Sequence, residues 1–566
     1  MTFRPPALTL LLATALALPA AAQPPAPEVL RIAAPDAAAR DALAELAGHL
    51  VVEPDSGDVL VEADGAVHAL LARLALDWRR DEAASAGLAA QVQGASRSIP
   101  GYACFRTVEE TLATIDALVA AHPTLASYVD IGESWQAGNG PSGAGWPLRV
   151  LRLGNTEVPG DKPRLFAMSA VHAREYSTAE LMTRFAEQLL AGHGVDAEAT
   201  WLLDHNEFHL LLQANPDGRK RAEAGVLWRK NENTQACPQA NASPTSNSHP
   251  GIDLNRNFPW RWGVGTGSST SACNGTYRGP SAASEPETQA VRDYVTAIFP
   301  DTRPGDPLDP AIAADPDTRG LFLDVHSYSR LVLWPWGYSG SPVTGNDAAL
   351  VRLGRRLAWF TEYTPQRSLN LYATNGTTID FAYGELGVPA YTLELGLAFF
   401  EDCAYAEQTL FPDNLAALRY AARSLQAPYR LPAGPDADQL SVDAARVPRG
   451  DQVTITARID DNRLRAVGGT NPSPQPPPVT VTGARLYVGT LPWQDGATGL
   501  EMAAADGAFN ASTETVQLGL DTSALAPGRH LLYVQGRTAN GAGPPAALFL
   551  EVVDGDRLFA DGFESP

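Results

Sequence analysis

The chain has 566 residues, too many for one ordinary hydrophobic core, so we expect about two to four folded units. Its 45% hydrophobic and 19% charged residues are typical of a globular rather than a disordered protein. The formal net charge of −22 excludes nucleic acid as a main partner, because binding to phosphates requires a basic surface.

The first residues have the pattern of an export signal. Arg4 provides a positive charge, Leu8 to Leu18 is an apolar run too short to span a bilayer, and Ala20 to Ala22 offers a cleavage site. No later stretch predicts a membrane span. We therefore expect residues 1–22 to be removed and the mature protein to be secreted, either extracellular or periplasmic.

The chain contains four cysteines, an even and low number for an exported protein. Such a number favours two disulfides, and no two of the cysteines have the spacing of a zinc site. Three pairings are possible. We expect Cys237 to pair with Cys273, and Cys104 with Cys403, which would join the two ends of the central domain.

The sequence pattern changes along the chain and predicts its domains. Residues 23–98 predict a small α/β unit that ends in a cleavable connector containing Arg97, and residues 99–428 alternate helices with apolar strands. Residues 429–553 contain only strand-like segments, which predicts a β-sandwich module of immunoglobulin or fibronectin type. Residues 554–566 predict a flexible tail.

The elements of the first two parts follow from hydrophobic periodicity. In the first we predict a strand at Val29 to Ile32, helices at Ala37 to Leu50 and Ala66 to Arg80, and a hairpin between Val51 and Val61. The central strands are predicted at Leu165 to Val171, Phe208 to Gln213, Leu321 to Val325, Leu331 to Trp334 and Tyr391 to Leu395. The central helices are predicted at Val108 to His122, Thr178 to Ala191, Pro286 to Ile298, Ala348 to Thr361 and Pro412 to Leu425. This alternation indicates an α/β domain whose sheet has helices on both faces and whose sites lie at the carboxyl ends of strands.

Two histidines and a glutamate follow strands in this domain and form a candidate metal site. His172 and Glu175 come directly after one predicted strand, and His326 closes another. Zinc accepts imidazole nitrogen and carboxylate oxygen, and three protein ligands leave a fourth position open for catalysis. His-x-x-Glu is common by chance, and a lone histidine at a sheet edge is usually structural, so the hypothesis depends on all three residues.

Further polar residues predict a substrate site. Asn255 and Arg256 are suited to holding a carboxylate, and Asp253 to orienting a zinc-bound histidine. Arg229 is a candidate for binding an oxyanion, although a surface basic cluster would have the same pattern. Glu394 lies within an apolar strand, where a general base or a structural ion pair would each account for it.

In this order, the motifs resemble the zinc metallocarboxypeptidases of the carboxypeptidase A/B type, in a secreted, bacterial-like form with a prosegment and a β-sandwich module. The resemblance covers most of Ile99 to Leu425 and implies a mixed, eight-stranded sheet with helices on both faces. It implies one Zn²⁺ held by the histidines and Glu175, with Glu394 as general base and Arg229 at the oxyanion. It also implies substrate contacts from Asn255, Arg256, Tyr372, Arg174, Tyr328 and Ile379, with Asp253 behind a zinc ligand and a Cys237–Cys273 disulfide.

The activity implied is hydrolysis of the C-terminal peptide bond of peptides or proteins. Ile379 matches the base of the side-chain pocket and favours hydrophobic or aromatic C-terminal residues, while the adjacent Asp380 leaves a mixed preference open. Residues 23–98 match a prosegment in position and size, with inhibition or assistance in folding as alternative roles. Two other hypotheses are an enzyme acting on cell-wall peptides or another non-protein amide, and a non-catalytic binding protein. The C-terminal module is a candidate for binding an unknown surface or partner.

Overall fold

A computed structural model describes residues 28–53, 56–85, 99–237, 249–306, 308–466 and 475–554. The predicted signal segment, Arg97 and residues 555–566 of the predicted tail lie outside these ranges. The described chain forms three sheets, of four, eight and nine strands. Within these ranges, no helix has the length and apolar character needed to cross a membrane.

The N-terminal unit is a four-stranded antiparallel sheet, in the order β2-β3-β1-β4, with two helices. Its elements are β1 (Glu28–Ile32), α1 (Ala37–Ala47), β2 (Val51–Val52), β3 (Val59–Ala63), α2 (Gly65–Leu74) and β4 (Trp78–Arg80). The predicted helix from Ala66 to Arg80 is wrong at its end, because Ala75 has a left-handed backbone and residues 78–80 pair with β1. Helix α1 ends early at Gly48, whose φ of 73° suits a residue without a Cβ.

The central sheet has eight strands in the order β11-β10-β12-β9-β7-β8-β6-β5, which confirms the predicted mixed sheet. Its strands are β5 (Ala126–Glu133), β6 (Pro147–Leu153), β7 (Arg164–Ser169), β8 (Glu207–Leu211), β9 (Leu321–Ser327), β10 (Leu331–Trp334), β11 (Thr364–Arg367) and β12 (Ala390–Leu395). The predicted end of the strand at Val325 is wrong, because β9 continues through Ser327. Strands β7, β9 and β12 are parallel neighbours at the centre of the sheet. Every residue of β9 and β12 is buried, which accounts for their continuous apolar sequence.

Helices connect and cover this sheet. They are α3 (Val108–Ala121), α4 (Trp135–Asn139), α5 (Tyr176–Gly192), α6 (Ala197–His205), α7 (Pro216–Glu223), α8 (Pro286–Ile298), α9 (Asp347–Thr361), α10 (Thr378–Leu386), α11 (Cys403–Tyr405) and α12 (Phe411–Arg423). The sequence analysis missed α4, α6, α7, α10 and α11. Both predicted disulfides are confirmed, with Cα–Cα distances of 5.7 Å for Cys104–Cys403 and 5.3 Å for Cys237–Cys273.

The C-terminal region is all β and has its own hydrophobic core, as predicted. Its strands are β13 (Asp436–Val442), β14 (Arg446–Pro448), β15 (Gln452–Asp460), β16 (Val481–Val488), β17 (Leu500–Ala504), β18 (Thr513–Asp521), β19 (Gly528–Thr538), β20 (Gly541–Ala542) and β21 (Ala546–Val553). Strand β17 pairs with both β16 and β18 and so joins the two halves of the sheet. Alternating buried and exposed residues in β15 and β18 give each strand one core face.

A buried charge cluster joins this region to the central domain. Arg356 of α9 is fully buried; its Nη2 donates to Asp461 Oδ1 at 2.9 Å, and its Nη1 lies 3.4 Å from Asp436 Oδ2. Arg356 Nη2 also donates to the carbonyl of Gly434 at 2.7 Å. Because a buried charge is tolerated only when it is paired, these contacts fix the module against the central domain. It is therefore not a freely tethered unit.

We predict that Arg356→Met lowers the free energy of unfolding by about 3–5 kcal/mol, because it leaves two buried carboxylates without their cation. Urea denaturation followed by circular dichroism measures this change. Arg430→Met is the matched control: Arg430 pairs with Asp317 while both side chains are more than half exposed, so its loss costs under about 1 kcal/mol. Equal effects of the two substitutions would contradict the assigned role of Arg356.

Candidate functional site

Three buried side chains converge on one point in the central domain. His172, Glu175 and His326 each offer a ligand atom, and these atoms all lie within 4.8 Å of one another. The Nδ1 atoms of the two histidines are 3.1 Å apart, and the Glu175 carboxylate oxygens lie 2.8 Å and 3.2 Å from them. Two imidazole nitrogens and a carboxylate oxygen that face one point match the donors that zinc prefers.

The sheet brings these three residues together. Strand β7 ends at Ser169, and Ala170 turns the chain with a left-handed φ of 55°, so that His172 and Glu175 follow in the turn before α5. His326 lies in the neighbouring strand β9, where its side chain and those of the turn meet beyond β7. The expectation of a site at the carboxyl ends of parallel strands agrees with this arrangement.

A carboxylate stands behind each histidine. His172 Nε2 lies 3.1 Å from Asp253 Oδ1, and His326 Nε2 lies 2.8 Å from Asp324 Oδ2. Because the outer nitrogen of each ring is held, Nδ1 is the atom left to face the common point. Sequence reasoning named Asp253 and missed Asp324. The signal was present, since residues two apart in a strand lie on the same face.

The electrostatics favour an ionised carboxylate at this point. Burial alone would favour the neutral acid, yet His172 and His326 hold the pKa of Glu175 well below its usual range. The backbone N–H of Ser327 also donates to Glu175 Oε2 at 3.1 Å. The donor set therefore has the charge that a divalent cation requires.

Arg229 borders the same cavity. Its Nε and Nη2 donate to Asp253 Oδ2 at 3.2 Å and 2.9 Å, while Nη1 lies 3.3 Å from His172 Nδ1. Asp253 thus fixes both Arg229 and a metal-facing histidine. This contact leaves one edge of the guanidinium directed towards the metal donors, where an oxyanion would develop.

Asn255 and Arg256 lie in a short 3₁₀ turn, Leu254–Arg256, capped by Asp253. Arg256 Nε donates to the carbonyl of Gly267 at 2.8 Å, and Nη1 donates to the carbonyl of Asn255 at the same distance. Asn255 Nδ2 lies 3.2 Å from His326 Nε2. Both residues line the cavity that contains the metal donors, so the turn presents a cation and an amide to the same cavity.

Glu394 lies on β12, directly opposite His326 of β9 in the strand register. Its side chain is 8% exposed, and within the described chain its Oε2 has no hydrogen-bond partner. Burial raises the pKa of Glu394 to about 7. A carboxylate that shares a cavity with metal donors and retains an unpaired oxygen is placed to exchange a proton there.

The Gly/Thr-rich segment from Tyr372 to Asp380 is only partly a loop. Helix α10 begins at Thr378, so Ile379 and Asp380 lie in its first turn and are buried. Ile379 and Tyr372 both line the cavity, and Tyr372 also packs into the hydrophobic core of the N-terminal unit.

The N-terminal unit covers one end of the cavity, which sequence reasoning did not locate. His49, which follows helix α1, lines the cavity and packs against the rings of Tyr328 and Phe399, whose centroids are 4.8 Å and 5.1 Å away. Arg174 lies 3.9 Å above the Phe399 ring and 4.0 Å from Glu62 of strand β3. The two predicted accessory substrate contacts, Arg174 and Tyr328, are therefore both in contact with the N-terminal unit.

Residues 111–405, more than half of the chain, match the family model described as zinc carboxypeptidase. The chain belongs to the zinc carboxypeptidase family, and its His172, Glu175 and His326 supply donors of the kind that a zinc ion takes. Carboxypeptidase A1 of Rattus norvegicus is 29% identical over 318 residues, covering 54% of this chain and 65% of that protein. A metallocarboxypeptidase A-like protein of Trichophyton verrucosum is 32% identical over 303 residues, covering 51% of this chain and 62% of that protein. The chain thus spans a little less than two thirds of the length of these relatives.

A solved structure of carboxypeptidase A from Helicoverpa armigera has a TM-score of 0.54 to this chain and is 24% identical. The superposition covers 71% of this chain and 98% of that chain. At this level of identity the similarity establishes the fold, and it confirms the predicted carboxypeptidase-like architecture.

We predict that Asp324→Asn weakens zinc binding by about 10–100-fold, because the His326 ring loses the carboxylate that orients it. Competition with a chromophoric chelator measures the affinity, and circular dichroism verifies that the variant is folded. Asp293→Asn, which alters an aspartate 67% exposed on helix α8, serves as the control. If both variants bound zinc as tightly as the original chain, the role given to Asp324 would be wrong.

Proposed function

We propose that this protein is a zinc-dependent carboxypeptidase that hydrolyses the C-terminal peptide bond of peptides or proteins. One observation supports this most strongly: a single cavity is lined by the metal donors, by Arg229 and Glu394, and by the Asn255–Arg256 pair. Catalytic groups and a carboxylate-binding pair in one cavity suit a reaction beside a free C-terminus.

The chemistry divides among these residues. Zinc, when bound, supplies a Lewis acid that makes water more acidic and a carbonyl more electrophilic. Glu394 accepts the proton of the attacking water and delivers it to the leaving amine, since its Oε2 is otherwise unpaired within the described chain. Arg229, held by Asp253, donates to the negative charge that develops on the carbonyl oxygen.

Asn255 and Arg256 restrict the reaction to the end of a chain. The terminal carboxylate pairs with the Arg256 guanidinium, whereas an internal peptide bond brings no negative charge to that buried cation. The same pair favours ordinary peptides over other amides as substrates. The presence of Glu394 beside the metal donors supports catalysis over a binding role.

We predict that the proteolytically processed chain removes residues stepwise from peptide C-termini, and that a zinc chelator abolishes the reaction. Mass spectrometry of a peptide mixture detects the shortened products. Internal cleavage, or release that persists after the metal has been removed, would exclude the proposed activity.

Glu394→Gln should reduce turnover by roughly 100-fold or more while leaving bound zinc unchanged, because the amide cannot accept the proton. The matched control is Glu287→Gln. Glu287 is also buried but lies on α8 outside the cavity, and burial raises its pKa to about 8, so a neutral amide replaces a largely neutral acid. Retention of full activity by the Glu394 variant would mean that another group is the base.

We also propose that residues 23–98 are an inhibitory prosegment, followed by a catalytic domain at 99–428. His49 supports this, because its buried ring occupies the wall of the cavity beside two proposed substrate contacts. Asp41 adds a second contact by accepting the backbone N–H of Ala373, next to Tyr372. A bound peptide must displace these groups. The uncleaved chain, with its N-terminal unit in place, therefore has a smaller fraction of molecules that can bind a peptide.

Cleavage at the connector near Arg97 should therefore increase peptide hydrolysis. His49→Ala should increase the activity of the uncleaved chain severalfold, because it opens the position between Tyr328 and Phe399. His68→Ala is the control: this histidine of the same unit pairs with Glu28, away from the cavity. Equal activity of cleaved and uncleaved chains would remove the inhibitory hypothesis and favour a folding role.

Two disulfides support export from the reducing cytoplasm, so we propose a secreted protein without its first 22 residues. We propose that residues 429–553 form a β-sandwich module and that residues 554–566 form a tail. The module's contact through Arg356 supports a role as a fixed part of the enzyme, with any partner bound on its outer surface.

A further inference from the structure

The cavity has a side-chain pocket beyond the metal donors and the carboxylate-binding pair. Its lining is uncharged and mixed in character rather than wholly apolar as Ile379 alone predicts. The apolar residues that line it are Leu333, Leu371 and Ile379, and the hydroxyl-bearing lining residues include Ser368, Thr374 and Thr392.

The hydroxyl groups of two of these residues meet beside Gly337. A Cβ atom built on Gly337 would lie 2.2 Å from Thr374 Oγ1 and 3.1 Å from Ser368 Oγ. Asp380 Oδ2 would be 3.5 Å away. Three oxygen atoms therefore converge beside Gly337, and any larger residue at this position would collide with the Thr374 hydroxyl.

The three oxygen atoms differ in their hydrogen-bond partners. Both Asp380 oxygens accept the backbone N–H of Gly337, at 3.0 Å and 3.1 Å. Thr374 is only 6% exposed, and its Oγ1 has no hydrogen-bond partner among the residues that the structure describes. A buried hydroxyl without a hydrogen-bond partner is unfavourable. A ligand that forms a hydrogen bond with it therefore gains binding free energy that a hydrocarbon ligand does not gain.

We propose that Thr374, with Ser368, recognises a hydrogen-bonding group at the end of the substrate's C-terminal side chain. The pocket then selects uncharged residues that combine an apolar stem with a polar end, such as tyrosine, threonine or asparagine. The stem contacts Leu333 and Ile379. Lysine and arginine are disfavoured, because Glu175 and Glu394, which line the described cavity, are committed to the metal and to proton transfer. The Asp380 carboxylate beside Gly337 already accepts a backbone N–H with both of its oxygens.

This inference rests on the proposed function and is tested with peptides that differ only in their last residue. The near-isosteric pairs are tyrosine and phenylalanine, threonine and valine, and asparagine and leucine. The processed chain is assayed by chromatography, and kcat/KM is compared within each pair. We expect the polar member to be favoured in each pair.

Thr374→Val should reduce the tyrosine-to-phenylalanine ratio by about tenfold, since the isosteric side chain has no hydroxyl. Thr374→Ser keeps the hydroxyl and should keep the ratio. Thr288→Val removes another buried hydroxyl, also without a described partner, from helix α8 outside the cavity, and should leave the ratio unchanged.

Two results overturn the inference. One is a preference of the original chain for the apolar member of the pairs. The other is a ratio that Thr374→Val leaves unchanged. Chelator-sensitive release of any C-terminal residue would in either case preserve the proposed function, whereas no release from any peptide would reject both.

Discussion

The site depends on one electrostatic constraint: the Glu175 carboxylate is buried between the Nδ1 atoms of two histidines, with all three donors within 4.8 Å. Burying an ionised carboxylate is unfavourable unless positive charge compensates it. The parallel strands β7 and β9, at the centre of the sheet, hold these groups at their carboxyl ends, and the carboxylates behind the rings fix which nitrogen faces inward. A divalent cation bound by these three groups supplies the positive charge that compensates the buried carboxylate.

Asp253 links the metal donors to the residues that we propose bind the substrate. One of its oxygens contacts His172, the other accepts from Arg229, and its side chain caps the turn that carries Asn255 and Arg256. The distance between the reacting centre and the end of the substrate is therefore set by one short segment. Positioning through shared, buried contacts is what lets a site act on a bond at a fixed distance from a terminal carboxylate.

The central sheet and the metal donors were predictable from the sequence. Continuous apolar strands gave the central sheet, and short motifs at strand ends gave the donors, because local periodicity and residue chemistry decide both. Contacts between distant segments were not predictable. His49 lies far from Tyr328 in the chain, and Arg356 lies far from Asp461. No local sequence pattern predicts which surface of one folded unit a neighbouring unit covers. The start of α10 at Thr378 was missed because glycine and threonine before it suggest a loop, whereas the Thr377 cap and tertiary packing favour a helix.

The most direct test of this account is an anomalous X-ray map at the zinc edge, recorded from crystals of the processed chain with a peptide bound. The account predicts one zinc peak contacted by Nδ1 of His172, Nδ1 of His326 and a Glu175 oxygen, with the peptide's terminal carboxylate on Arg256. A zinc peak elsewhere, or a peptide whose terminus lies away from Arg256, would contradict it.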